Sequence, residues 1–211
     1  MSDFDLEKSD LVEISKNCEE FSKVVPIERL SFEYNIKSRY NEIWNTTTEP
    51  NWMVVSPYYR NMAALVKLYG RKNILELGTQ VGAGAVSLAE YSDRVTTVDL
   101  TLRNVAPSVF RHPRIEFRKV PGDYDVLNLD FEKFDLIFID IDHSGEVEMM
   151  LHKKLERCYK GIVLWDDVRF SPGMENVWNA VKQEKIELRH WHEGGSFGIV
   201  RYDGIVRSPN E

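Results

Sequence analysis

The run Asn73-Ile74-Leu75-Glu76-Leu77-Gly78-Thr79-Gln80-Val81-Gly82-Ala83-Gly84 decides the fold of this 211-residue chain. A short, largely apolar strand meets a glycine-containing turn, and small residues from Ala83 to about Ala89 continue as helix. Glycines there let the backbone approach a ligand at a helix start, where free amides favour polar or anionic groups. The spacing differs from the dinucleotide fingerprint, because no G-x-G pair directly follows the strand.

Outward from this turn the strand and helix cycle repeats. Upstream, Tyr59, Met62, Ala63, Leu65, Val66 and Leu68 fall at helical spacing until Gly70 ends the segment. Downstream, strands are expected at 95–98, 115–118, 134–139 and 161–165, with helices at about 145–158 and 173–183. Such alternation makes a parallel sheet with right-handed crossovers the economical solution. Residues 186–192 and 197–202, separated by a Gly194-Gly195 turn, read instead as an antiparallel hairpin. The expected class is α/β, with a mostly parallel seven-stranded sheet and helices on both faces.

Residues 1–50 are charged and weakly periodic; Leu11, Ile14, Phe21, Val24 and Val25 hint at amphipathic helix, which Pro26 breaks. A polar run at 45–51 reads as a loop, so we expect a helical extension over 1–50 and one ligand-binding domain over 51–211. Trp44, Trp52 and Tyr58 suit a pocket wall or a subunit contact equally, which leaves a homo-oligomer open.

With 27 basic and 34 acidic residues the formal charge is −7, which provides no overall field to attract nucleic acid or an anionic membrane. Cys18 and Cys158 are isolated, without zinc-ligand spacing, and read as reduced thiols. The acidic start lacks the pattern of a signal peptide, and no apolar run approaches the ~20 residues of a membrane span, so a cytoplasmic location is expected.

In open α/β sheets ligands bind beyond the carboxyl ends of the strands. Those positions here are acidic: Asp99, Asp140 with Asp142, and Asp166 with Asp167. Any one of them can equally be a helix N-cap. His143, beside Asp140 and Asp142, is the candidate proton acceptor, since an imidazole with an ordinary pKa of about 6.5 can take a hydroxyl proton near neutral pH. A structural histidine is the alternative. His112, His152, His190 and His192 have no comparable setting.

Trp52-Met53-Val54-Val55-Ser56, a helix, and then Glu76-Leu77-Gly78 with Gly82 resemble the opening of the class I S-adenosylmethionine-dependent O-methyltransferases of the catechol and caffeoyl-CoA type. Phe138-Ile139-Asp140-Ile141-Asp142-His143-Ser144, and Asp166-Asp167 followed by Ser171-Pro172-Gly173 and Trp178, are similar to patterns of the broader group that methylates sugar and small-molecule hydroxyls. The resemblance spans residues 52 to 203 and implies the Rossmann-like methyltransferase fold, which a terminal hairpin distinguishes from the dinucleotide-binding version.

By that resemblance Val55, Ser56, Glu76, Gly78 and Gly82 contact the methionine part of S-adenosylmethionine. Asp99 bonds the ribose hydroxyls, and Gly122-Asp123 lies near the adenine. Asp140, Asp166 and Asp167 hold Mg²⁺ or another divalent cation, which relieves the repulsion of clustered carboxylates. Catalysis falls to His143 and Asp140, with a small hydroxylated molecule as acceptor. The chain departs from catechol-type enzymes in carrying His143 where they have lysine and Asp167 where they have an amide. Alternatives are a metal-independent N- or O-methyltransferase, in which the acids bond an amine, and a cofactor-binding protein without turnover. A dehydrogenase is disfavoured by the glycine spacing and the hairpin.

Overall fold

The structure, a computed structural model, describes residues 9–45, 57–188 and 196–204. Val55 and Ser56, the Trp52 segment, His190, His192 and the Gly194-Gly195 turn lie outside the described residues. The helices are α1 (Leu11–Ser22), α2 (Ile27–Glu33), α3 (Ile36–Trp44), α4 (Pro57–Leu68), α5 (Ala83–Ala89), α6 (Glu146–Cys158) and α7 (Pro172–Ala180). The strands are β1 (Asn73–Leu77), β2 (Arg94–Asp99), β3 (Ile115–Lys119), β4 (Leu136–Ile139), β5 (Lys160–Trp165), β6 (Glu184–Leu188) and β7 (Phe197–Asp203). They form one seven-stranded sheet in the order β3-β2-β1-β4-β5-β7-β6, parallel except for β7, which runs antiparallel to β5 and β6.

Side chains alternate across each strand, and the alternation divides the core. Ile74, Leu136, Phe138, Ile162 and Leu164 join an apolar cluster with α1 to α5. Leu75, Leu77, Ile137, Ile139, Val163 and Trp165 join a second cluster with α6 and α7 on the other face. Leu11, Ile14, Cys18, Ile27, Leu30 and Ile36 of the N-terminal helices are buried in the first cluster, so the extension shares its core with the sheet. Three short helices replace the single amphipathic stretch that the spacing suggests. Asn35 at φ 55° redirects the chain between α2 and α3.

Of the element boundaries that differ from expectation, two have a side-chain cause. β4 starts at Leu136 because Asp135 instead turns its carboxylate onto the N–H groups of Lys72 (3.1 Å) and Asn73 (2.9 Å), capping the start of β1. α7 stops at Ala180 rather than 183, where Lys185 Nζ caps the carbonyls of Trp178 and Val181. Among the described residues no helix is long and apolar enough to cross a membrane.

Candidate functional site

Strand register places the site. Gly78 N–H donates to Val98 O (2.8 Å), Asp140 N–H to Leu77 O (2.8 Å) and Asp166 N–H to Ile139 O (2.9 Å). Each bond extends the ladder one residue past a strand end. Asp140 and Asp166 therefore lie side by side on adjacent strands β4 and β5, with Asp140 at the β1/β4 boundary where the strand order reverses and open sheets bind ligands. Side-chain alternation points both toward the face covered by α4.

A cavity of about 410 Å³ opens there. Val98, Leu100, Val120, Val126 and Ile141 supply apolar walls, while Asp99, Asp123, Asp140, Asp142 and His143 supply polar ones. Gly78 also lines it. Its φ of 96° lies in the left-handed region, and a Cβ would stand 1.6 Å from the Asp140 carbonyl oxygen, so only glycine lets β1 and β4 close up at this point. Gly82, at φ 93°, packs against Val109 rather than lining the cavity.

The acids expected to bind ligand do different things. Asp99 Oδ2 accepts the N–H groups of Thr79 (2.9 Å) and Gln80 (3.1 Å), and Oδ1 accepts that of Thr101 (3.0 Å). It thus holds the glycine turn in shape while facing the cavity. Glu76 is buried behind that turn: Thr97 Oγ1 donates to Oε2 at 2.5 Å, and Oε1 lies where a Cβ on Gly84 would be, 2.1 Å away. Burial, with Asp140 and Asp99 nearby, pushes its carboxyl well above the usual range, although the Thr97 hydroxyl opposes this. Gly122 has extended backbone; Asp123 lines the cavity and begins a 3₁₀ turn.

Asp140, His143 and Asp166 each offer one ligand atom, and these three atoms all lie within 4.8 Å of one another. His143 Nε2 is 3.4 Å from Asp140 Oδ1. Asp167, expected as the third acid, is not a member of this group; one residue past Asp166 the chain turns at φ 50° and Asp167 O accepts the N–H of Phe170. Burial is the main cause that raises the Asp140 pKa to about 6; His143 opposes it, and Asp167 and Asp99 add to it. Burial and the Asp140 and Asp167 charges drive Asp166 well above the usual carboxylate range.

Two residues not counted among the candidate site residues shape the cluster. Glu148, buried in α6, accepts N–H bonds from His143 (2.6 Å) and Gly145 (3.0 Å). Its position three residues after Gly145 fits a capping pattern, the one clue available beforehand. Ser171, within a motif already singled out, donates to His143 O at 2.6 Å and caps α7 through Met174 N–H at 3.1 Å. Tyr58 and Tyr59 are buried with ring centroids 4.0 Å apart, near enough for the Asp140 and Asp166 charges to raise their phenol pKa values further above what burial already imposes. Phe170, 71 % exposed, lies with its ring centroid 5.6 Å from that of His143.

No protein-family model and no curated protein matches the sequence. Solved structures do share the fold. The SAH-bound Podospora anserina methyltransferase PaMTH1 aligns at TM-score 0.61 and 18 % identity over 92 % of this chain and 95 % of its own. The Bacillus cereus O-methyltransferase in complex with SAH aligns at 0.58 and 18 % over 94 % and 100 %. The Streptomyces achromogenes O-methyltransferase TomG, involved in tomaymycin synthesis and bound to SAM, aligns at 0.56 and 19 % over 94 % and 99 %. At these identities the likeness establishes the fold.

Proposed function

We propose that this chain is an S-adenosylmethionine-dependent methyltransferase that methylates a hydroxyl of a small molecule with the help of a divalent cation. The observation that carries this is the adjacency of a 410 Å³ cavity at the β1/β4 boundary to the Asp140, His143 and Asp166 cluster, within a fold shared with SAM- and SAH-bound methyltransferases.

The cavity suits a nucleoside joined to an amino acid, because apolar walls and carboxylate acceptors alternate around one concave space. S-adenosylmethionine supplies a methyl group on a positively charged sulfonium, which a nucleophilic oxygen displaces in line. Gly78 keeps the β1 turn close enough to β4 for the donor to lie beside Asp140. Asp99 keeps that turn rigid and keeps some acceptor capacity for ribose, since a carboxylate has about four lone-pair positions. Asp123, at the cavity wall, is the further acceptor for the nucleoside.

The donor set fits a divalent cation: two carboxylates whose pKa values burial raises, with neighbouring carboxylate charges adding to the effect, and an imidazole nitrogen within 4.8 Å of both. Such an ion, when bound, supplies Lewis acidity that lowers the pKa of an acceptor hydroxyl. The proton released there has the Asp142 carboxylate, which lies in the same cavity wall outside that donor set, to receive it. Phe170 offers an apolar surface beside His143 on which the acceptor can rest.

Calorimetric titration of the chain with S-adenosylhomocysteine and with NAD tests the donor site: we expect the first to bind and the second not. A labelled methyl group should then pass from S-adenosylmethionine to hydroxylated small molecules in a chelator-sensitive manner. Binding of NAD in place of the homocysteine compound would overturn the assignment.

A further inference from the structure

We infer that His143 is itself a ligand of the cation, and that the ion taken by this chain is a later first-row transition metal such as Co²⁺ or Zn²⁺ in preference to Mg²⁺. This rests on the function proposed above and specifies which ion that site selects.

The resemblance of the sequence implies an all-oxygen site made by Asp140, Asp166 and Asp167. The structure assembles a different set, two carboxylate oxygens and one imidazole nitrogen. Strand geometry explains the exchange. Asp166 continues the β5 ladder beside Asp140, whereas at Asp167 the backbone leaves the strand at φ 50°, and its carboxylate, though near enough for its charge to act on both neighbours, falls outside the group of converging ligand atoms. The vacated side of the cluster is filled by His143, which the loop after β4 brings back over Asp140.

The His143 ring nitrogen points to a ligand in its own right. Nε2 is buried and makes no hydrogen bond, although buried polar atoms in folded proteins ordinarily have a partner. Its neighbour Asp140 Oδ1 is 3.4 Å away, too far and too poorly directed for a good N–H to O bond. Adjacent ligands of an ion bound at about 2.1 Å stand roughly 3 to 3.5 Å apart, so this separation is what a shared cation requires. The backbone that carries the ring is held at both ends, its N–H by Glu148 and its carbonyl by Ser171, so the position of its Cα beside Asp140 is fixed.

Donor chemistry then selects the ion. Mg²⁺ prefers oxygen ligands and retains several waters, whereas imidazole nitrogen raises affinity for the later first-row dications. Two carboxylates balance the 2+ charge. Three protein ligands leave coordination positions for an acceptor oxygen, as in other catalytic sites of mixed nitrogen and oxygen donors.

The test uses the full chain, stripped of metal and saturated with S-adenosylhomocysteine. Titration should give a Kd for Co²⁺ at least about tenfold below that for Mg²⁺. Pulsed electron paramagnetic resonance of the Mn²⁺-loaded chain should show coupling to a ¹⁴N nucleus. His143→Asn, chosen because asparagine tolerates positive φ, should lose that coupling while homocysteine-compound affinity and circular dichroism stay unchanged. Asp167→Asn should keep it. Binding of Mn²⁺ without nitrogen coupling, or Mg²⁺ binding as tightly as Co²⁺, overturns the inference and leaves the proposed function standing on an oxygen-only site. Failure of every dication to bind while S-adenosylhomocysteine binds normally overturns the cation component of the proposed function, and this inference with it.

Discussion

The Glu148 carboxylate accepts the backbone N–H of His143 at 2.6 Å, so a buried acid on α6 sets the backbone position of a histidine that lines the cavity. The second bond, from Gly145, stitches a loop whose residues 143 and 145 both have positive φ, 60° and 90°. Glu148→Gln retains the size of the side chain but replaces one acceptor with an N–H₂ group that faces another donor. We expect urea denaturation to show a loss of about 1 to 3 kcal/mol. Dication affinity should fall about tenfold or more with S-adenosylhomocysteine affinity nearly intact, if each lost kilocalorie is felt at the loop. Unaltered stability and ion affinity would remove Glu148 from its positioning role.

Gly78 and Gly70 offer a matched pair. Both have positive φ, 96° and 61°, but a Cβ at Gly70 meets nothing within 4 Å whereas one at Gly78 strikes the Asp140 carbonyl. Gly70→Ala should therefore cost only the left-handed backbone penalty, about 1 to 2 kcal/mol. Gly78→Ala must in addition separate β1 from β4, and should cost at least about 3 kcal/mol and abolish binding of S-adenosylhomocysteine. Equal stabilities for the two variants would contradict the close approach.

Asp99→Ala strands the amides of Thr79, Gln80 and Thr101. It should weaken S-adenosylhomocysteine binding by roughly ten- to a hundredfold and also destabilise the fold by about 1 to 3 kcal/mol. A residue that served only to bond ribose would show the first effect alone. Thermal melts beside calorimetry separate the two.

The carboxylate cluster gives the metal-free chain a characteristic pH response. Asp140 has an ordinary value of 3.8 and is raised to about 6 in the folded state, mainly by burial. Above 3.8 the folded chain then binds more protons than the unfolded one, so this group's contribution is fully present at low pH and is lost as pH rises through about 6. Asp166 acts in the same direction. Asp166→Asn should flatten this loss and raise the stability of the metal-free chain at pH 7, while abolishing the gain in melting temperature that a dication gives the wild type. A variant that melts below the metal-free wild type at pH 7 would refute the strain.

His152 carries the opposite slope. Its Nδ1 lies 3.0 Å from the Tyr202 hydroxyl in the buried second cluster, and burial, aided by Lys185 and Lys153 against Glu156, lowers its pKa from 6.5. Below pH 6.5 the unfolded chain takes up a proton that the folded chain resists, so stability present above that pH is lost as pH falls. Urea midpoints measured between pH 7.5 and 5 should show a shallower acid decline for His152→Gln than for the wild type. Parallel declines would place the effect elsewhere, with His112, lowered likewise by burial and Arg114, the next candidate.

Much of the architecture was legible in the chain because local pattern and tertiary packing agree. The central strands read as short apolar runs since both their faces are buried, and Gly78 marked the turn since no residue with a Cβ fits against Asp140. Where boundaries were misplaced, a side chain from elsewhere decided them: Asp135 turned to β1, and Lys185 capped α7. Glu148 was illegible because a glutamate in the first turn of an amphipathic helix ordinarily faces solvent, and only the path of the 143–145 loop draws it inward.

The order of residues is enough to specify that acids follow β2, β4 and β5, since strand length and turn chemistry are local properties. Which of those acids converge is not local. Adjacent strand ends meet through the register of a sheet built from segments far apart in sequence, so Asp140 and Asp166 become neighbours only when β4 pairs with β5. The resemblance groups Asp167 with those two acids, whereas the folded chain groups His143 with them, because the backbone leaves β5 at Asp167 and a loop held by Glu148 and Ser171 returns His143 to Asp140.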